Sequence, residues 1–488
     1  MNIGRDNKSL DEQVKTRLLQ ISSLRTERRK KFQNEKRVID LGENTPIKST
    51  RPIEQLLSLL NEGIKNENQE LKIQVLKELC YVTRNWKNDT VTVDKVMDVT
   101  MTLRPLLQQT NLTFPEIKYS IHIFTNISAL SEGLLNPLIT GGILTIMGYY
   151  LKDENSEIVS MALSFFSNLI IESKELTTIV FQMGFIEIMT RINQQPMTSV
   201  ALQNSYAWCF CNICRSVSKQ YNIDFIRNII PIQLLEKESS ESAIADSCWG
   251  IYTISRNLQQ FNLLVESHVF ELLFKLLRKK NTLIIIPILK ILEAYSYEDE
   301  RYFNHFIKHD IFSYIKSIIA SPQTNDNVLK QCTFIASNLV VSDSFKKLLI
   351  NNGIVPMLIQ KYIILSDESK NNIKWMLINI LVMADDQEVF FLCQMDQLFY
   401  IFADFDNRDD RLVQLYLSSL IKICCVGASL AQNGENVYVE KLIEAGTKRC
   451  VEVYINHHDP ETSKMAAVVL RFFLDTESES SLDMESAY

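Results

Sequence analysis

A short helical phrase recurs through this 488-residue chain, and its spacing limits the possible fold more than any other feature. The phrase runs HIFTN (122–126), SFFSN (164–168), WCFCN (208–212), WGIYT (249–253), KILEA (290–294), FIASN (334–338), WMLIN (375–379) and SSLIK (418–422). Its last residues lie 42, 44, 41, 41, 44, 41 and 43 positions apart. Around each phrase apolar residues recur at three and four, in blocks separated by polar breaks, the pattern of amphipathic helices. A helical period of roughly 40–47 residues belongs to HEAT and armadillo solenoids. In such arrays each unit packs only on its neighbours, so a long chain needs no single large core.

Composition agrees with helices rather than sheets. Glycine is scarce, 13 of 488 residues, and tight hairpins or phosphate-cradling loops both need it. The ten cysteines follow no disulfide framework, and the first forty residues are polar rather than a leader. The longest apolar run, Leu283 to Leu289, ends at Lys290, far short of the ~20 residues of a membrane span. The expectation is a reducing, cytosolic or nuclear protein with free thiols and no membrane segment.

Charge is unevenly placed. Through Arg51 there are 13 Lys and Arg against 7 Asp and Glu, a net of +6. Of the totals, 51 and 58, that leaves 38 basic and 51 acidic residues in the body, a net of -13. The basic residues concentrate in LRTERRKKFQNEKR (24–37). Residues 1–51 hold few large apolar side chains and are expected to be disordered until they bind a partner. An acidic body without a basic groove argues against nucleic acid as that partner.

Two rows of residues follow from the repeat register. The last position of the phrase holds Asn126, Asn168, Asn212, Asn338 and Asn379, with Thr253, Ala294 and Lys422 elsewhere. Asparagine is a mediocre helix former, so five at one register need a reason. One reading is satisfied polar residues. The other is an amide ladder whose donors and acceptor grip the backbone of an extended peptide. Four residues earlier, one turn away on the same face, stand His122, Ser164, Trp208, Trp249, Lys290, Phe334, Trp375 and Ser418. Three of the four tryptophans fall here. They are either core or a surface row of slots for Lys and Arg stems.

Together these motifs resemble the armadillo domain of importin-α (karyopherin-α). The W-x3-N pairs, SYAWCFCNICR, IADSCWGIYTIS, VLKQCTFIASNL, NNIKWMLINIL and the stretch from RLVQLYLSSL to VVLRFF carry the likeness. The resemblance implies an all-α fold, a right-handed superhelical solenoid of about ten armadillo repeats. It would span 52–475, between a flexible basic arm at 1–51 and an acidic disordered tail at 476–488. It implies a non-enzymatic import adaptor, without cofactor, that shuttles between cytoplasm and nucleus. Its partners would be proteins bearing basic nuclear localisation signals, importin-β, an export receptor with Ran-GTP, and nucleoporins. The major signal site would comprise Asn126, Asn168, Glu172, Trp208, Asn212, Asp246 and Trp249. The minor site would comprise Phe334, Asn338, Trp375 and Asn379. Arg25, Arg28, Arg29, Lys30, Lys31, Lys36 and Arg37 would bind importin-β, or occupy the chain's own groove. The pattern departs from the family's at His122 and Ser164, which replace tryptophans, and at Gln331 and Asn372, which replace acids. The alternatives are an armadillo scaffold with other partners, or an importin-β ligand that has lost signal binding.

No other chemistry stands out. Cys209, Cys211 and Cys214 lack a fourth ligand at metal spacing. His305 and His309 are followed by no Glu of the zinc-protease kind. No glycine-rich phosphate loop or nucleophile elbow appears, and no catalytic residue or metal ligand is expected.

Overall fold

The computed structural model describes residues 51–217, 224–256, 264, 268–279, 281–296, 303–405, 409–431 and 435–485. Among these residues there is no strand; the chain is a succession of helices. Ten long helices recur at the repeat period: α1 Gln69–Arg84, α2 Phe114–Ser128, α3 Ser156–Glu172, α4 Val200–Val217, α5 Glu241–Ser255, α6 Thr282–Tyr295, α7 Asp326–Leu339, α8 Asp367–Met383, α9 Asp410–Leu430 and α10 Pro460–Glu485. From residue 136 on, two shorter helices precede the long one in every repeat whose residues are described throughout, as Lys174–Gln182 and Phe185–Gln194 precede α4. Three helices in just over forty residues, the last one longest, is the armadillo-like form of the repeat.

Two compact units divide the chain. The first comprises the described residues up to Leu234 and Glu238–Gly250; the second comprises Leu235–Lys237 and Ile251 onward. Within the first unit α1 packs on α2, α2 on α3 and α3 on α4. Within the second, α6 to α10 pack on one another in chain order. The seams are apolar, for example Phe165, Phe166, Phe185, Tyr206 and Phe210 in the first unit, all fully buried. Tyr206 sinks its ring into that core because its hydroxyl donates to the carbonyls of Met189 (3.3 Å) and Ile229 (3.0 Å).

Local signals explain where the helices start and turn. Asn68, Asn155, Asn281, Asn325 and Asp409 cap α1, α3, α6, α7 and α9, each accepting a first-turn backbone N–H. Such a cap contributes about 1 kcal/mol. Between the two short helices the chain turns through a left-handed residue: Gly142 (φ 71°), Gly184 (φ 79°), Gly353 (φ 75°) and Gly446 (φ 91°). In two repeats that lack that glycine, His268 (φ 57°) and Asp310 (φ 51°) adopt the same conformation. Four of the thirteen glycines thus sit where a side chain costs most.

Lys346 locks two successive repeats of the second unit together. It is buried, reaches Glu388 at 2.7 Å and Asp343 at 2.9 Å, and donates to the Met383 carbonyl. Burial alone would lower its pKa, but the two carboxylates outweigh that and hold it above the ordinary value.

Three expectations are affected. The arm residues Arg25, Arg28, Arg29, Lys30, Lys31, Lys36 and Arg37 lie outside the described residues. The tail expected to be disordered from 476 continues α10 as far as Glu485. Nothing in TESESSLDME breaks a helix, since it contains neither glycine nor proline. One helix among the described residues, α9, is long and apolar enough to cross a membrane. Here it packs on α8 and α10, with Val413, Tyr416, Leu417, Leu420, Ile423 and Cys424 buried.

Candidate functional site

The asparagine row is the first element of the expected site, and four of its five members face inward. Asn126 is 2% exposed; its amide donates to the Cys80 carbonyl (3.2 Å) and to Thr83 Oγ1 (3.4 Å) on α1. Asn168 donates to the Thr125 carbonyl (3.2 Å) and Ser128 Oγ (3.1 Å) on α2. Asn212 donates to the Ser167 carbonyl (3.3 Å) on α3, and its oxygen accepts from Arg215 at 3.4 Å. Asn338 donates to Ser296 Oγ at 2.8 Å, just past the end of α6. Each amide therefore staples its helix to the preceding one. This corrects the surface ladder at Asn126, Asn168, Asn212 and Asn338. Close-packed helices leave carbonyls and hydroxyls at the seam, and the buried amide NH2 groups donate to them, while the oxygens of Asn126 and Asn338 find no hydrogen-bond partner among the described residues. Asn379 alone is half-buried, and its side chain makes no hydrogen bond among the described residues. Asn372, seven residues earlier on α8, takes the stapling role, donating to Thr333 Oγ1 at 3.2 Å.

The aromatic row divides in the same way. Trp208, expected to wall a lysine slot, is 5% exposed and belongs to the core. His122 is buried too, and burial pushes its pKa down to about 4, with Lys118 adding to the effect. It is therefore a neutral packing residue. Ser164 is half-buried and donates to the Ser160 carbonyl at 3.1 Å. Trp249, Phe334 and Trp375 remain half-buried, with part of each ring at the surface.

The acids are accessible but already engaged. Glu172, the last residue of α3, is half-buried and accepts the Glu132 backbone N–H at 2.7 Å. Asp246 is half-buried on α5, one turn before Trp249. Across α3, α4 and α5 as far as Gly250 stand Glu157, Glu172, Glu241 and Asp246 against Arg215, a net of -3.

Around the expected minor site the charge is different. Asp326, Asp367, Glu368, Asp410 and Glu293 on α6–α9 are outnumbered by Lys290, Lys330, Lys370, Lys374, Arg411 and Lys422, a net of +1. Lys330 pairs with Glu368, Lys374 with Asp404 (2.7 Å) and Lys422 with Asp386 (2.7 Å). Lys290 lies over the Tyr252 ring, 5.7 Å from its centre. These lysines were visible in the sequence, but their placement beside Phe334 and Trp375 followed only from the helical register. The cysteines of α4 are packed: Cys209, Cys211 and Cys214 are buried, and burial pushes the Cys209 thiol up to about 12.

No family model matches the chain, and no curated protein matches it. Solved structures do. An engineered protein of known crystal structure is similar over 86% of this chain and 98% of its own, with a TM-score of 0.64 and 15% identity. A designed armadillo repeat protein covers 50% of this chain and 98% of its own, with a TM-score of 0.41 and 16% identity. The first likeness supports the helical-repeat fold, and the three-helix repeat makes it armadillo-like. The chain has an armadillo-like repeat fold.

Proposed function

We propose that this scaffold is a nuclear import adaptor whose first unit receives a basic localisation signal. The observation that carries the reading is the opposition of charge between the +6 arm and the acidic helices α3–α5, where Glu172 and Asp246 are half-buried and Asp246 lies one turn before the half-buried Trp249. Lysine side chains of a signal peptide would pair with those acids, and Trp249 would pack one alkyl stem. On α6–α9 Glu368 is already paired with Lys330, which leaves fewer acids for a second basic peptide at Phe334, Asn338, Trp375 and Asn379. Because the amides of Asn126, Asn168 and Asn212 are engaged, they would act mainly by holding the helices in register. The arm, with Arg28, Arg29, Lys30 and Lys31 at its centre, would bind importin-β and, when free, compete for the acidic helices. The C-terminal repeats, about 411–475, would meet the export receptor with Ran-GTP, an assignment that rests on resemblance alone.

Fluorescence anisotropy with a labelled lysine-rich peptide tests this. The full chain should bind, and deletion of 1–51 should tighten binding because a tethered competitor is removed. Glu172→Gln with Asp246→Asn should weaken binding roughly tenfold or more, with a shallower salt dependence. A second reading, an importin-β ligand without signal binding, is favoured by the burial of Trp208 and His122. Absence of peptide binding in both forms, with importin-β still captured by the arm, would establish that reading instead.

A further inference from the structure

The start of α9 and the turn before α10 bring three ligand-type side chains together. Asp410, His457 and His458 each offer a donor atom, and these atoms all lie within 4.8 Å of one another. His458 Nε2 is 3.0 Å from Asp410 Oδ2, and His457 Nε2 is 3.6 Å from Asp410 Oδ1. Zinc bonds of about 2.0–2.2 Å in a tetrahedron put neighbouring ligand atoms roughly 3.3–3.6 Å apart. The two separations from Asp410 bracket that range; the donor atoms of the two imidazoles lie within 4.8 Å of each other and would close in on a bound ion. We propose that Asp410, His457 and His458 form a zinc-type divalent metal site that ties α9 to α10.

The surroundings hold the ligands in place. Asp409 rather than Asp410 caps α9, accepting the backbone N–H groups of Arg411 and Leu412, which leaves the Asp410 carboxylate available. On the other side, Asp459 Oδ2 accepts from Thr462 N (2.8 Å) and from Gln414 Nε2 of α9 (2.9 Å), fixing the histidine turn against α9. Tyr454 contacts the His457 ring, with ring centres 6.0 Å apart. His457 is mostly covered and His458 mostly exposed, so one ligand is anchored and the site stays open to solvent. The donor set of two imidazoles and one carboxylate suits zinc rather than calcium or magnesium, which take oxygen ligands. Three protein ligands leave a fourth position for water or a partner's side chain.

Binding has a proton balance. His457 Nδ1 now accepts the Asp459 N–H at 3.3 Å, so neutral His457 carries its proton on Nε2, toward Asp410. Ligation through Nε2 moves that proton to Nδ1 and gives up this long contact. Neutral His458 likewise moves the proton it shares with Asp410 from Nε2 to Nδ1, and only a proton beyond that one, on an imidazolium, leaves to solvent when the ion binds.

Calorimetric titration of the full chain with Zn2+ tests the site. One ion should bind per chain and raise the melting temperature, with no effect of Ca2+ or Mg2+. Asp410→Asn and His458→Ala should each weaken Zn2+ binding by on the order of 10- to 100-fold and abolish the thermal shift. Both positions are partly exposed, and circular dichroism checks that the variants fold. His305→Ala with His309→Ala should leave the isotherm unchanged. A chain with no saturable Zn2+ binding, or an isotherm that survives Asp410→Asn with His457→Ala and His458→Ala, overturns the proposal.

Discussion

The third helices of the two units share one skeleton and differ in what they show to solvent. In the first unit Asn168 staples α3 to α2; in the second Asn338 reaches back to Ser296, just beyond α6, in the same manner. The seam is therefore a packing device common to both. The charge along these helices is not shared: α3–α5 carry a net of -3 to Gly250, and α6–α9 a net of +1. The turns differ in part: glycine serves at 142 and 184 in the first unit, whereas the second uses Gly353 and Gly446 but also His268 and Asp310 in the same role. A residue repeated in both units belongs to the fold; a difference between them is where function or strain must be sought.

The largest expected effect concerns His122, a buried neutral imidazole in the first unit. Its folded pKa is depressed to about 4, against about 6.5 unfolded. Its contribution is therefore present above pH 6.5 and is lost as pH falls toward 4. Over that window urea unfolding should show a loss on the order of 2–3 kcal/mol from this group. His122→Phe should flatten that part of the profile. An unchanged slope in the variant would mean the imidazole is not kept neutral by burial.

A somewhat smaller effect separates seam from surface. Asn168→Ala and Asn338→Ala should each destabilise the chain by about 1–3 kcal/mol, because backbone and hydroxyl partners lose a buried donor. Asn379→Ala should stay within about 0.5 kcal/mol. If Asn379→Ala costs as much as Asn168→Ala in thermal melts, the distinction between stapling and exposed amides fails.

The smallest effect comes from the turns. His268 has φ 57° and no side-chain cap hydrogen bond, so His268→Gly should relieve strain. The left-handed conformation costs a non-glycine residue roughly 1–2 kcal/mol, offset by glycine's greater freedom when unfolded. A net gain of about 0.5–1 kcal/mol is expected. Gly184→Ala in the first unit should lose a similar amount. Opposite signs in calorimetric melts would confirm that both positions serve one turn; equal signs would break the equivalence.

Period and helical class were legible without coordinates. The phrase at intervals of 41–44 residues, apolar spacing of three and four, and scarce glycine leave few folds other than a helical solenoid. The separation of a basic arm from an acidic body was equally plain. The inside of each helix was not. Residues four apart share a side, so the pairing of Trp208 with Asn212 followed from sequence, but not whether that side faced solvent or the next helix. Both prove buried, while Trp375 and Asn379, at the same register, stay half-exposed. Helices of one period can pack at slightly different rotations, and a small rotation decides which side chain fills the seam. The approach of His457 and His458 to Asp410 was likewise hidden, since 47 residues separate Asp410 from His457 and only the packing of α10 on α9 closes that gap.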